Sequence, residues 1–285
     1  MKKLLILSGK GGTGKTTTAA ALIRFSKAKA IADCDVDAPN LHLVTAQTGN
    51  PEVTKFLGGE KAEIDPCKCT GCGLCQSHCR FDAIREKDGT YAVNEYACEG
   101  CGICEYVCSQ GAVKLVKDAA GRKELYRSDS VFSTATLKMG RGNSGKLVTE
   151  VKMAMQKYAP ETELAIIDGS PGIGCPVIAS VSGADLVLVV AEPSLSGFSD
   201  LERLVKTAEM LRTKLAVCVN KWDVSPEHTE KIQLFCAERK IPFAGKIPYD
   251  KKASEAINAG MSIADLDCPA RNALESIYET IMKLF

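Results

Sequence analysis

Residues 8–17 combine glycines, lysines and hydroxyl side chains in the order Ser-Gly-Lys-Gly-Gly-Thr-Gly-Lys-Thr-Thr, the pattern of a phosphate-binding loop. Its glycines allow backbone N–H groups to surround a β-phosphate, and the start of the next helix adds partial positive charge. Lys15 is expected to reach the β- and γ-phosphates, and the Thr16 hydroxyl to ligate Mg²⁺. The predicted nucleotide-binding residues of the loop are Gly11, Gly12, Thr13, Gly14, Lys15, Thr16 and Thr17.

Carboxylates follow two other short apolar runs. Three aspartates alternate after a predicted strand at 28–32: Asp33, Asp35 and Asp37. Asp168 ends the apolar run 164–167, as a Walker B aspartate does, and is expected near Mg²⁺. Open α/β sheets bind ligands at the carboxyl ends of their strands, so these side chains are predicted to lie near the phosphates. For Asp37 alone, a turn in which Asn40 caps a helix is the simpler alternative.

Nine of the 14 cysteines lie between residues 67 and 108, mostly in two runs of equal spacing. The runs are Cys69-x2-Cys72-x2-Cys75-x3-Cys79 and Cys98-x2-Cys101-x2-Cys104-x3-Cys108. This spacing is typical of bacterial ferredoxins, in which the fourth cysteine of each run ligates the other cluster. It predicts two [4Fe–4S] clusters, one on Cys69, Cys72, Cys75 and Cys108, the other on Cys98, Cys101, Cys104 and Cys79. Zinc, the main competitor, usually binds separated C-x2-C pairs.

The elements that must position these residues alternate between strand and helix, except in one stretch. Predicted strands at 130–137, 164–168, 185–191, 214–219 and 244–248 alternate with helices, among them 146–158 and one that starts near Phe198. From 60 to 118 this alternation is absent. The sequence therefore predicts an ATPase domain in two parts, 1–59 and 119–285, interrupted by an inserted ferredoxin-like domain at 60–118.

Composition excludes several functional classes. The net charge of +1 provides no global basic field for nonspecific nucleic-acid binding. No apolar stretch approaches the roughly 20 residues of a membrane span, and no signal-peptide pattern is present, so a cytoplasmic location is expected. The terminal segment 270–285 places Leu274, Ile277, Ile281 and Leu284 on one face and carries few basic residues, which favours a packed helix over a membrane anchor.

The second lysine of the loop, Lys10, makes the chain resemble the MinD/ParA/nitrogenase-iron-protein group of ATPases. The resemblance implies a mostly parallel, doubly wound P-loop sheet and an ATP-dependent dimer in which Lys10 reaches the partner's phosphates, as an arginine finger does. It implies that Asp35 contacts the water shell of Mg²⁺ and helps to orient the attacking water. It also implies that Asn220 contacts adenine, with Pro248 beside the base. Because Asn220-Lys221-Trp222-Asp223 also matches the guanine-reading motif of GTPases, GTP is the alternative nucleotide.

Three functions are compatible with these motifs. The first is a dimeric ATPase, homo- or heteromeric, that gates electron transfer through two clusters to a partner protein. The second is an ATP-dependent scaffold or carrier for iron–sulfur or metal-cofactor assembly. The third is ParA-like spatial positioning, which the missing membrane helix and the neutral charge disfavour.

Two further cysteines have open roles. Cys67 is expected to be a bystander thiol. Cys175 follows Asp168 at an offset similar to that of a cluster ligand in the nitrogenase iron protein, so a metal held between two subunits is one hypothesis. A small, buried apolar role is the favoured alternative for Cys175.

Overall fold

The computed structural model describes residues 1–45, 47 and 49–285. By internal contacts the chain divides into two units. The first, here called the nucleotide unit, comprises Met1–Thr54, Lys123–Thr136 and Ser144–Phe285; the second, the cysteine unit, comprises Lys55–Arg122 and Leu137–Asn143. The predicted insertion at 60–118 falls within the cysteine unit, and its assignment as a ferredoxin-like domain stays a prediction.

The strands of the described part of the chain contribute mainly to one sheet. They are β1 (Lys2–Leu7), β2 (Ala30–Asp33), β3 (Glu52–Ile64), β4 (Ile84–Lys87), β5 (Thr90–Val93), β6 (Val113–Arg127), β7 (Val131–Leu137), β8 (Leu164–Asp168), β9 (Leu186–Ala191), β10 (Lys214–Asn220) and β11 (Phe243–Ile247). The large sheet has the order β11-β10-β9-β1-β8-β2-β7-β6-β3. Its pairs from β11 through to β7 are parallel, which confirms the predicted mostly parallel sheet.

Helices connect the parallel strands, as right-handed crossovers require. In the described residues they are α1 (Lys15–Ser26), α2 (Leu74–Ser77), α3 (Ile103–Val107), α4 (Ser144–Tyr158), α5 (Cys175–Val181), α6 (Leu195–Met210), α7 (Pro226–Glu238), α8 (Lys251–Asn258) and α9 (Pro269–Met282). Helix α6 begins three residues before the predicted Phe198 because Ser194 caps it, accepting a hydrogen bond from the Gly197 N–H. None of these helices has the length and apolarity to cross a bilayer.

The central strands of the nucleotide unit are buried along their whole length. Every residue of β8 and of β9 is buried, as are Leu4–Leu7 of β1, so these strands read as continuous apolar runs in the sequence. Helices α1 and α9 complete this core. Leu274, Ile277 and Ile281 of α9 are at most 1 % exposed, and Leu284 packs against the same cluster. The predicted packed terminal helix is therefore confirmed.

Strands β3 and β6 were not predicted. Both are long, and both have largely exposed or half-exposed residues, so the apolar alternation by which strands are recognised is weak in them. Gly58 and Gly59 weaken the pattern further, but Gly58 is needed, since a Cβ there would lie 2.7 Å from the Ala120 Cβ of β6. Strands β3, β6 and β7 each carry the chain across the boundary between the two units.

The cysteine unit has its own short elements. Strands β4 and β5 form an antiparallel hairpin whose two-residue turn, Asp88-Gly89, has positive φ at both positions. Helices α2 and α3 each follow a left-handed glycine, Gly73 and Gly102 respectively. A small cluster of buried side chains, described below, joins these elements.

Candidate nucleotide site and cysteine pockets

The phosphate-binding loop connects β1 to α1, as the sequence predicts. Gly14 caps α1 with φ of 92°, and a Cβ there would lie 2.2 Å from the Asn220 Nδ2 atom, so both conformation and space require glycine. Asn220 Nδ2 donates to the Thr13 carbonyl at 2.8 Å. The asparagine expected at the adenine thus also holds the phosphate-binding loop, a role that the sequence did not reveal.

Asp168 stands opposite the loop and contacts two of its side chains. Its Oδ1 lies 2.5 Å from the Lys15 ammonium, and its Oδ2 accepts the Thr16 hydroxyl at 2.7 Å. Asp35 Oδ2 is 3.8 Å from the same ammonium. Burial lowers the pKa of Lys15, but the carboxylates outweigh it and the net effect is a raised pKa, so the lysine stays charged. The structure thus brings together the lysine, hydroxyl and carboxylates that were predicted to hold Mg²⁺ and phosphate.

Asp33 is completely buried and organises the segment that carries Asp35. Its carboxylate accepts the backbone N–H groups of Asp35, Asn40 and Leu41 at 3.0–3.1 Å. Asn40 therefore binds through its backbone; it precedes a short 3₁₀ turn without capping it through its side chain. Burial, and then the charge of Asp168, raises the pKa of Asp33 to about 7. Asp37 is exposed, so of the three aspartates Asp33 is the anchor of the loop and Asp35 faces Lys15.

A cleft of about 620 Å³ extends from the phosphate-binding loop. The loop, Asp35, Asn220 and Pro248 line one part of it. The remaining wall is largely apolar and includes Leu43, Val44, Ile257, Ile263 and Leu274. An apolar slot beside a polar phosphate cradle suits a purine nucleotide. Asp223, which in the GTP alternative would read guanine, instead accepts the Tyr249 N–H at 2.7 Å through Oδ1.

Lys10 forms contacts within its own chain. Its ammonium lies 2.7 Å from Glu192 Oε2 and donates to the Ser196 hydroxyl at 3.2 Å. Lys221 lies 3.7 Å from the other oxygen of Glu192 and donates to the Gly12 carbonyl. Glu192 therefore holds two cations beside the loop, and the reach of Lys10 to a partner's phosphates stays a prediction.

Sequence reasoning missed Lys152. This lysine of α4 is 6 % exposed, and its ammonium donates to the carbonyls of Ala179, Ser180 and Ser182 at 2.6–2.8 Å. It satisfies the C-terminal carbonyls of α5, although burial lowers its pKa. A single lysine in an amphipathic helix provides no signal of this role.

At the start of α5, Cys175 is exposed, so the favoured expectation of a buried apolar cysteine is wrong.

The cysteines of the two runs line two separate pockets of the cysteine unit. Cys69, Cys72, Cys75 and Cys108 line one, together with Tyr91 and Val113. Cys98, Cys101, Cys104 and Cys79 line the other, together with Phe81 and Leu115. In both pockets three thiols come from one run and the fourth from the other, which is the crossed arrangement that the spacing predicts.

The two runs also fold alike. The Asp65 carbonyl accepts the N–H of Cys69, and the Asn94 carbonyl accepts that of Cys98. The Asp65 N–H donates to Ala112, and the Asn94 N–H to Ala83, at 2.8 and 2.7 Å. The segments 65–83 and 94–112 are therefore two halves of an internal repeat, and the first residue of each half donates its N–H to the last residue of the other.

The donor set of each pocket, four thiols around a shared space, fits an iron–sulfur cluster, which cysteine thiolates hold in proteins. In the described residues no group of three or more His, Cys, Asp or Glu side chains is arranged to hold a single metal ion. The N–H of Ala112 lies 3.3 Å from Cys108 Sγ and that of Ala62 lies 3.5 Å from Cys98 Sγ, as occurs around cluster sulfurs. Burial raises the pKa of Cys108, but hydrogen bonds from the backbone N–H groups of residues 110–113 together outweigh it, so the net effect is a lowered pKa. Cys67 is exposed and lines neither pocket.

A loop that presents Lys15 to phosphate, facing a strand-end aspartate on a mostly parallel sheet, defines a P-loop ATPase. The chain belongs to the CobQ/CobB/MinD/ParA nucleotide binding domain family, whose model matches residues 4–263. It is 32% identical to an uncharacterized protein of Methanocaldococcus jannaschii, over 98% of this chain and 96% of that protein. It is 26% identical to an iron–sulfur cluster carrier protein of Pyrococcus abyssi, over 98% and 85%. Among solved structures, MinD of Pyrococcus horikoshii complexed with Mg-ADP has a TM-score of 0.59 at 16% identity, covering 99% of this chain and 96% of that one. This last likeness shows the fold.

Proposed function

We propose that this ATPase is a nucleotide-dependent dimer that gates electron transfer through two [4Fe–4S] clusters to a partner protein. The observation that carries the proposal is the pair of crossed pockets, each lined by four thiols from both runs. Two complete four-thiol sites favour stable redox centres over a labile cargo. When bound, the clusters supply one-electron chemistry.

The protein's own residues prepare the nucleotide site. Asp168 holds the Lys15 ammonium and the Thr16 hydroxyl. With nucleotide bound, the ammonium would face phosphate oxygens and the hydroxyl would face Mg²⁺. Thr16, Asp35 and Asp168 would hold the magnesium ion, which neutralises charge on the β- and γ-phosphates. Asp35, whose carboxylate faces Lys15, would orient the attacking water. Lys10, once released from Glu192, would add positive charge from the second subunit as negative charge develops on the phosphates.

The cysteine residues would bind the clusters, and their surroundings would tune them. The backbone N–H groups of Ala62 and Ala112 stabilise negative charge on Cys98 and Cys108, which raises the potential of a cluster. Cys72 and Cys101, one in each pocket, are exposed, so each predicted cluster has a ligand at the surface. A partner protein would exchange electrons at these two places.

Anaerobic reconstitution followed by redox titration tests the proposal. We expect about eight irons per chain and two low-potential signals. A non-hydrolysable ATP analogue should shift at least one midpoint potential by several tens of millivolts; 59 mV for one electron is about 1.4 kcal/mol of coupling. Full loading without any shift, and with unchanged rates of reduction of an acceptor protein, would contradict gating.

The second candidate function is that of an ATP-dependent carrier of iron–sulfur clusters. It is favoured by similarity to proteins named iron–sulfur cluster carrier protein, from Methanocaldococcus jannaschii and Pyrococcus abyssi. A carrier releases its cluster, so incubation with an apo acceptor and ATP should deplete this chain of iron as the acceptor gains it. A redox protein retains its iron through the same incubation.

A further inference from the structure

The two halves of the cysteine repeat differ in how their first turn is held. In the first half, the turn that leads to Cys69 has one ion pair, between exposed Lys68 and Asp65, at 3.8 Å. In the second half, Arg141 holds the turn that leads to Cys98. Glu95 and Tyr96 stand where the first half has Pro66 and Cys67, so the first turn lacks the carboxylate and ring that an arginine would contact.

Arg141 makes four contacts in the cysteine unit. Its guanidinium donates to the Glu95 carbonyl at 2.9 Å, pairs with the Glu95 carboxylate, and lies 3.4 Å from Asp118 Oδ2. It also stacks on the Tyr96 ring at 5.2 Å from the centroid. The arginine side chain is 7 % exposed and Asp118 is 12 % exposed, so solvent screens their ion pair only weakly. Arg141 thus joins strand β6, through Asp118, to the turn before a predicted cluster ligand.

The segment that carries Arg141 is continuous with the nucleotide unit at both ends. Residues Leu137–Asn143 belong to the cysteine unit by their contacts, but β7 precedes them and α4 follows them directly. Strand β7 pairs with β2 from Ala30 to Ala32, and β2 ends at Asp33, the anchor of the Asp35 loop. The first turn is also continuous with the nucleotide unit, because β3 ends at Ile64 directly before Asp65. Its ion pair, between Lys68 and Asp65, lies within the repeat itself, whereas Arg141 contacts the second turn from a separate segment.

We propose that Arg141 is the positioning residue through which nucleotide binding acts on the second cysteine half, and thus on the cluster held by Cys98, Cys101, Cys104 and Cys79. The first half, lacking such a contact, responds less. This inference rests on the proposed function for its clusters, but the conformational part concerns the polypeptide alone. The repeat is therefore symmetric in its ligands and asymmetric in its response to nucleotide.

Hydrogen exchange of the full-length protein, with and without a magnesium-bound ATP analogue, measures how nucleotide changes the conformation of the two turns. The reporters are the amides of Ala97 and Cys98, which donate to the Asn94 carbonyl, compared with Lys68 and Cys69, which donate to Asp65. We expect nucleotide to change exchange at the second pair about tenfold, the size of effect typical for a hydrogen bond to a charged group, and at the first pair much less. Arg141→Gln should abolish the difference, and Arg141→Lys should restore it in part.

Arg127→Gln is the matched control, because this exposed arginine of β6 pairs with Glu52 in the nucleotide unit. Asp118→Asn weakens the ion pair between Arg141 and Asp118 from the side of the carboxylate, and it replaces Arg141→Gln as the test variant if that variant folds poorly. In reconstituted protein, nucleotide should shift one of the two midpoint potentials, and Arg141→Gln should remove that shift. Equal responses of both turns, or a response that survives both Arg141→Gln and Asp118→Asn, would overturn the inference. Failure to load iron with an intact exchange response would instead count against the proposed function alone.

Discussion

The two units bury different chemistry in their interiors. The core of the nucleotide unit is aliphatic and extends from β1, β8 and β9 through α1 to α9. The core of the cysteine unit is small, and three of its buried members are Cys75, Cys98 and Cys104, with Ala62, Ala83, Ile84 and Val113. A core of this size provides little stability without additional links. The comparison teaches that one unit is held together by packing, whereas the other is expected to require the clusters proposed for it.

Removing the proposed clusters should have the largest effect. We expect anaerobic chelation, or Cys75→Ser with Cys104→Ser, to unfold the cysteine unit, because metal binding and folding are linked in small metal-dependent units. Limited proteolysis should then cut within 55–122. The fluorescence of Trp222, the single tryptophan and a residue of the nucleotide unit, should remain native. Cys67→Ser, an exposed thiol outside both pockets, is the control; a resistant cysteine unit without iron would refute the comparison.

Asp168→Asn should impair ATP hydrolysis, the function of the nucleotide unit, and leave iron binding by the cysteine unit unchanged. The substitution keeps the shape but removes the charge that holds Lys15 and would face Mg²⁺. We expect ATP hydrolysis to fall about a hundredfold or more, as when a contact to developing charge is lost, while iron content stays unchanged. Steady-state phosphate release and iron analysis measure the two outcomes. Asp129→Asn, at an exposed carboxyl, should alter neither, and unchanged hydrolysis in Asp168→Asn would exclude the proposed role.

Asp33→Ala tests whether the nucleotide unit depends on packing alone. The alanine leaves three backbone N–H groups without their acceptor, which we expect to lower the free energy of unfolding by about 2–3 kcal/mol. Urea unfolding followed through Trp222 measures the loss. Asp37→Ala removes an exposed carboxyl of the same loop and should be nearly neutral. Equal stability of the two variants would show that the buried carboxylate does not hold the loop.

Lys152→Met should have the smallest effect. Methionine keeps most of the side-chain volume but leaves the three carbonyls at the end of α5 without a donor. We expect the free energy of unfolding to fall by about 1–2 kcal/mol, because the gain from no longer desolvating a buried charge partly offsets the lost hydrogen bonds. Thermal unfolding of the nucleotide unit measures it. The control is Lys157→Met, near the exposed end of the same helix, and a larger loss there would contradict the assignment.

Much of the nucleotide site could be predicted because its chemistry is local in sequence. The phosphate-binding loop is one continuous segment, and Asp35 and Asp168 follow buried strands whose apolar runs are unmistakable. The cysteine runs are equally local, since their spacing alone predicts which thiols share a pocket. The strands β3 and β6 escaped prediction because exposed strands bury too few residues to show an alternating pattern.

By itself the sequence determined the class of ATPase and the parallel sheet, through the resemblance of its phosphate-binding loop to the MinD/ParA group. It also determined the partition of the cysteines into two sets, through their short-range spacing. Only the tertiary structure decided which polar groups meet across long separations. Asn220 holds the phosphate-binding loop, Lys152 caps α5, Glu192 holds Lys10, and Arg141 holds the turn before Cys98. The physical reason is that one hydrogen bond or ion pair leaves no periodic trace in the chain, and its partner is selected only when distant strands and helices pack together.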